Sequence, residues 1–183
     1  ITASRLLIGA ATAGAITVSS DVSILNVATT HLTTGSTVTG TAGGIVANDL
    51  AINAGGAVNM TDASSNVDNL AVAAAGFDVT FTEADGFEVD TVDGVTGITG
   101  AAITLTTGGD LGIVEAITAT GNVINTAAGS ITQNAAIDVA TSGGSITYLA
   151  DSDNSGTGAV TMGADAGIET AGTAGANISL TAG

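Results

Sequence analysis

Residues Ala102–Gly144 read AITLTTGGDLGIVEAITATG and then NVINTAAGSITQNAAIDVATSGG, two versions of one unit. Ile103 returns as Val123, Leu111 as Ile131 and Ile117 as Ile137, each 20 residues later. Apolar anchors that move in step by a fixed period mark a repeat architecture, in which a unit buries its inner face only by stacking on its neighbours. Further units begin at Ile146 and Ile178. The Ile146 unit has inner anchors at Val160 and Ile168 and carries an insertion, DSDNSGTG, between its first two strands. Upstream, Leu50 and Ile52 return as Leu70 and Val72, and Val58 and Met60 as Val79 and Phe81. Before Leu50 the same texture continues through Ile16, Val18, Val22 and Val27, without a fixed register.

Inside each unit the pattern alternates with period two, as in Ile103-Thr104-Leu105-Thr106 and Ile178-Ser179-Leu180-Thr181. One apolar and one hydroxylated face is the pattern of a half-buried strand. GG, TG, AG and GN pairs separate the strands, where Gly and Asn tolerate the positive φ of a tight corner. The fold class expected is all-β: a parallel β-solenoid with triangular coils of about 20 residues, each pairing with its neighbours at about 4.8 Å. Residues 1–183 read as one continuous segment, with longer excursions at about 82–100 and 150–158. Neither end carries an amphipathic helix or a charged cap. Open strand edges recruit further strands, so the expectation is a column that continues, covalently or by stacking of copies.

The net charge of −16 comes from one Lys+Arg against 17 Asp+Glu. Phosphate backbones are bound through basic side chains, so nucleic acid is excluded as a partner. No run is apolar enough to insert into a membrane as a helix. Charged residues are only 10% of the chain and its mean hydropathy is +0.53, which removes the compositional case for disorder. There is no Cys, so disulfides contribute nothing.

The texture resembles the filamentous-haemagglutinin-like exoproteins, the giant repetitive adhesins of bacteria. The units that carry the resemblance are AITLTTGGDLGIVEAITATGNV, GSITYLADSDNSGTGAVTMGADAGIETAG and GFDVTFTEADGFEVDTVDGVTGITGAAITL. The resemblance implies a right-handed parallel β-helix, export to the cell surface, and an adhesive, matrix or filament role. Cell-surface or matrix glycans are then the candidate external partners, besides the chain itself.

An enzyme is not expected. Some β-helices act on polysaccharides, but the only basic candidates are Arg5 and His31, with no carboxylate motif around them in sequence. Glycosidase chemistry needs two opposed carboxylates, and the usual aromatic sugar platforms reduce here to Phe77, Phe81, Phe87 and Tyr148. No cofactor is required by these residues. Two acidic groups are candidate calcium ligands. Asp151, Asp153 and Asn154 place oxygens at close intervals before Gly156, as in calcium loops. The bidentate acid expected at the twelfth loop position is Met162 instead. Glu83, Asp85, Glu88, Asp90 and Asp93 crowd five acids into eleven residues. Glu88, Asp90 and Asp93 are the proposed ligands there, against the alternative of a solvated face. Outward threonines raise a further reading, an ice-binding face, but Ile124 and Leu149 interrupt the Thr array.

Overall fold

The computed structural model describes residues 3–134, 138–171 and 176–183. Among these residues there is no helix; the chain is all-β, and its strands stack in parallel as a solenoid of about six turns. One side is an eight-stranded sheet: Ile16–Thr17, Val38–Gly40, Val58–Met60, Val79–Glu83, Ile103–Thr107, Val123–Ala127, Ile146–Ala150 and Ile178–Ala182. Along it Val38, Val58, Val79, Ile103, Val123 and Ile146 lie directly over one another, all fully buried. β-Branched side chains suit this position because they pack on a pleated surface with little loss of freedom.

The remaining sides belong to a thirteen-stranded sheet. From Gly86 onward each coil has the three separate strands expected, such as Ile103–Thr107, Asp110–Ile113 and Ile117–Ala119. The earlier coils differ. There two sides run together in the single strands Ile45–Ala54 and Asn66–Ala73, while one coil earlier Val22–Ser23 and Val27–Thr34 remain separate and pair with successive parts of Ile45–Ala54. The corner survives as a phase shift: Ile45 and Ala47 face inward, Asn48 and Asp49 are both half-exposed, and Leu50 and Ile52 face inward again. Asp68-Asn69 repeats the shift one coil later. Two consecutive outward polar residues turn the strand without a glycine. The side-chain amide of Asn69 donates to Asp49 (2.8 Å), and that of Asn48 donates to the Val27 carbonyl (3.1 Å), so the bend is tied coil to coil.

Most of the register read from the repeat stands: Leu111 pairs Ile131, Leu50 pairs Leu70, and Val58 pairs Val79. One anchor does not. Ile117 pairs Val139, 22 residues on, while Ile137 lies outside the described residues. The alternation Ile137-Asp138-Val139 offered two apolar residues in the same phase, and spacing alone chose the wrong one. The upstream register is set by the long strands, with Leu6, Thr30 and Leu50 in one row and Ile8, Leu32 and Ile52 in another. Thr30 therefore sits in the core, fully buried.

The first excursion is shorter than its sequence suggests. Gly86–Val89 and Ile98–Gly100 are ordinary coil strands, and only the stretch between them departs. That stretch is a small antiparallel hairpin, Thr91–Val92 with Val95–Thr96, turned by Asp93 (φ 49°) and Gly94 (φ 82°). Positive φ at both central residues is the tight hairpin turn that Asp-Gly favours. Val92 and Val95 pack down onto Ala51, Ala71 and Ala73. Ala51 and Ala71 point outward by strand parity yet are 0% exposed, because the hairpin covers them.

The core also holds a polar rung. Asn125 and Tyr148 occupy the inner row above Phe81 and Leu105 and are fully buried. The Tyr148 hydroxyl donates to Gln133 Oε1 (2.8 Å), and Gln133 Nε2 donates to the Gly167 carbonyl (2.8 Å). Burial drives the Tyr148 hydroxyl well above its usual range, so it stays a donor at any physiological pH.

Candidate functional site

Several acids tie corners. Asp21, Asp78 and Asp110 each accept a backbone N–H from the coil above, from Gly44 (3.0 Å), Ala102 (3.1 Å) and Ser130 (2.6 Å). Asn122 and Ser145 do the same for Ser145 and Asn177. Corner threonines add a second tie. Thr34, Thr107 and Thr141 each accept from the N–H two residues ahead, a local turn that Ser and Thr favour. Their hydroxyls donate down to the coil below, to the Gly14 carbonyl, to Glu83 and to the Gly121 carbonyl. A corner exposes backbone groups that the sheets do not pair, and these side chains satisfy them.

Of the five acids of residues 83–93, Glu83, Glu88 and Asp93 go different ways. Glu83 turns inward and is 2% exposed. Its Oε2 accepts from Thr107 Oγ1 (2.9 Å) and from the N–H groups of Asp85 (2.9 Å) and Gly86 (2.6 Å), while Oε1 is buried without a partner. Glu88 projects outward from its strand as alternation required, and Asp90 is half-exposed with Oδ1 on the Thr91 N–H (2.7 Å). Asp93 is carried away at the hairpin tip. The insertion loop behaves similarly. Asp151 (φ 53°) is 1% exposed, and its carboxylate accepts from Ser155 Oγ (2.9 Å) and the Gly156 N–H (3.0 Å). Those hydrogen bonds hold it below the usual carboxylate range. Asp153 accepts from the Ser155 N–H (3.1 Å). Among the described residues no three acidic or histidine side chains converge as a metal site. Calcium at Asp151, Asp153 and Asn154 would have to compete with the loop's own hydrogen bonds.

Burial pushes the Glu83 carboxyl above its ordinary value of 4.5, against the pull of its hydrogen bonds from Thr107 and Gly86. Above 4.5 the folded chain still holds a proton that the unfolded chain has released. Stability therefore falls as pH rises through that window. Glu83→Gln is expected to flatten the stability–pH curve there, measured by urea midpoints across the range; an unchanged slope would show the carboxyl to be solvated.

Among the described residues, opposite charges distant in sequence meet at the hairpin tip. Asp93 Oδ2 lies 2.7 Å from Arg5 Nε and 2.5 Å from His31 Nδ1. Arg5 and His31 had no carboxylate near them in sequence; the fold brings one from 62 residues beyond His31. His31 gives its Nδ1–H to Asp93, so the Arg5 nitrogen 3.5 Å from Nδ1 is a neighbour rather than a second donor to it. His31 is 7% exposed, and its Nε2 is buried with no partner. The imidazole has no open side on which to exchange a proton with a substrate. The hydrogen bond from His31, and secondarily the Arg5 charge, hold the Asp93 carboxyl below its ordinary 3.8. That stabilisation is present above the ordinary value and is lost as pH falls through the lowered one. Asp93→Asn, which keeps the turn conformation but removes the charge, is expected to speed hydrogen exchange of the hairpin amides severalfold. Exchange unchanged from the parent would mean that the two valines alone hold the hairpin.

One concave feature lies on the acidic side. A groove of about 550 Å³ runs over Gly86 and Gly112 and is walled by Asp68, Asp85, Glu88 and Asp110. Its aromatic neighbour, Phe87, is buried in the core beneath. No protein-family model, curated protein or solved structure matches the chain.

Proposed function

We propose that this chain is a section of an extracellular structural fibre or stalk, a stiff acidic column whose repetition is its function. The observation that carries the reading is the destination of the polar side chains. Asp21, Asp78, Asp110, Glu83 and the corner threonines are spent on joining one coil to the next. Side chains committed to the column's own continuity are what a load-bearing element needs. Secretion to a bacterial surface, in the manner of the filamentous-haemagglutinin-like exoproteins, fits the charge and the absence of Cys.

The test is the denaturing mass of the native polypeptide together with the particle length under the electron microscope, with and without a chelator. A polypeptide of hundreds of kilodaltons in long particles, or a small one that polymerises lengthwise, supports the column. Short particles of single-chain size from a short polypeptide overturn it. Loss of surface adhesion on chelation, with particle length unchanged, would favour a calcium-dependent adhesin instead.

A further inference from the structure

The outer face of the eight-stranded sheet stands apart from the rest of the molecule in its chemistry. One outward row is Thr17, Thr39, Asn59, Thr80, Thr104, Ile124, Thr147 and Ser179; the other is Thr82, Thr106, Thr126, Leu149 and Thr181. None of these thirteen positions is charged, in a chain of net charge −16. At its margin, Asp78 is committed to the Ala102 N–H. The two apolar residues on the face are diagonal neighbours in its upper middle. Ile124 lies between Thr104 and Thr147, and Leu149 lies between Thr126 and Thr181 in the adjoining row. Ile124 is 38% exposed and Leu149 is half-exposed.

We infer that this face is a lateral interface for a second copy of the chain, so that columns pair side by side. Two molecules of this charge repel wherever carboxylates meet, and a charge-free sheet face is where they approach without that cost. An apolar centre of Ile124 and Leu149 inside a hydroxylated rim has the anatomy of a protein interface. Strands about 4.8 Å apart and about 3.3 Å per residue give the face roughly 550 Å². Pairing covers about twice that, just above the ~1,000 Å² that a specific contact needs. Because the contact repeats along the column, longer columns pair more tightly. The inference does not depend on lengthwise continuation: pairing changes the cross-section, continuation the length.

Sedimentation equilibrium of the chain across a wide concentration range, at about 0.15 M salt to screen the exposed carboxylates, tests it. At high concentration the mass is expected to be twice that of Ile124→Asp/Leu149→Asp, which loses the lateral step and keeps any lengthwise growth, while Thr132→Asp, on the acidic side, should pair like the parent. Ile124→Thr/Leu149→Thr keeps strand-forming residues and should raise the dissociation constant at least tenfold, which decides the matter if the Asp variant does not fold by circular dichroism. A parent that stays single, a double variant that still pairs, or mass that grows without limit regardless of these residues overturns the inference. So does a single parent that adsorbs to ice or crystalline polysaccharide through Ile124 and Leu149, since the face then has another occupant.

Discussion

Phe81→Ala is expected to destabilise the column by about 3–5 kcal/mol, the range found when a large buried aromatic is truncated. Phe81 is fully buried, stacked between Met60 below and Leu105 above, with its ring edge-on to Phe87 at 5.6 Å and 70°. The neighbouring inner rows are narrow residues held in ladder register, so they cannot slide inward to fill the space without breaking backbone hydrogen bonds. The cavity therefore persists, and the aromatic contact with Phe87 is lost with it. Urea denaturation reads the effect as a lower midpoint with little change in slope. A loss below about 1 kcal/mol would mean that the coils collapse around the gap, and that the column is softer than its ladders imply.

Gly109→Ala is the second large effect, and it comes from the backbone. Gly109 turns the corner after Thr107, where the coil below passes so close that a methyl group would overlap the carbonyl oxygen of Asp85. The obstacle is main chain, so no rotamer change relieves it. Moving the corner away disturbs the Gly129 N–H bond to the Gly109 carbonyl (2.9 Å) and the neighbouring tie from Thr107 to Glu83. A cost of about 3 kcal/mol follows from overpacking of this kind. Gly121 provides the control, because a methyl there has 3.3 Å to its nearest neighbour, the Ala101 carbonyl. Gly121→Ala should change the urea midpoint little, since a small movement accommodates it. Equal losses at the two glycines would show that corner glycines are needed for flexibility rather than for clearance.

These two sites also show what the amino-acid sequence discloses. Phe81 was readable as a core residue because alternation and period both place it inward. Strand phase and coil register are local properties repeated many times, so they survive one misassigned partner such as Ile137 for Ile117. Clearance at Gly109 depends on how closely one corner overlies another, and spacing carries no trace of it. The same limit hid the meeting of Arg5, His31 and Asp93, which requires a hairpin to fold back over four strands. Its turn was legible: Val92-Asp93-Gly94-Val95 is a strong hairpin signal, submerged in a stretch noticed for its charge. The two outward alanines beneath it, Ala51 and Ala71, were a second trace, since small apolar residues on a solvent face need a cover. The role of the corner acids Asp21, Asp78 and Asp110 was not legible for a different reason. An acid that caps a neighbouring coil and one that waits for a cation have the same spacing, and only the position of the next coil's N–H separates them.

The hairpin that reaches from Val89 to Arg5 has a mechanical consequence. A stack of coils pulled from one end gives way rung by rung, each release costing only one neighbour's worth of bonding. The clasp of Asp93 on Arg5 and His31, with Val92 and Val95 seated on Ala51 and Ala71, spans the rungs between. Tension on the Ala3–Ala10 strand is thus shared with the Asn66–Ala73 strand before any ladder between them opens. Under load this stretch should yield as one block at a single higher force, and the coils beyond Ile103 should follow in small successive steps.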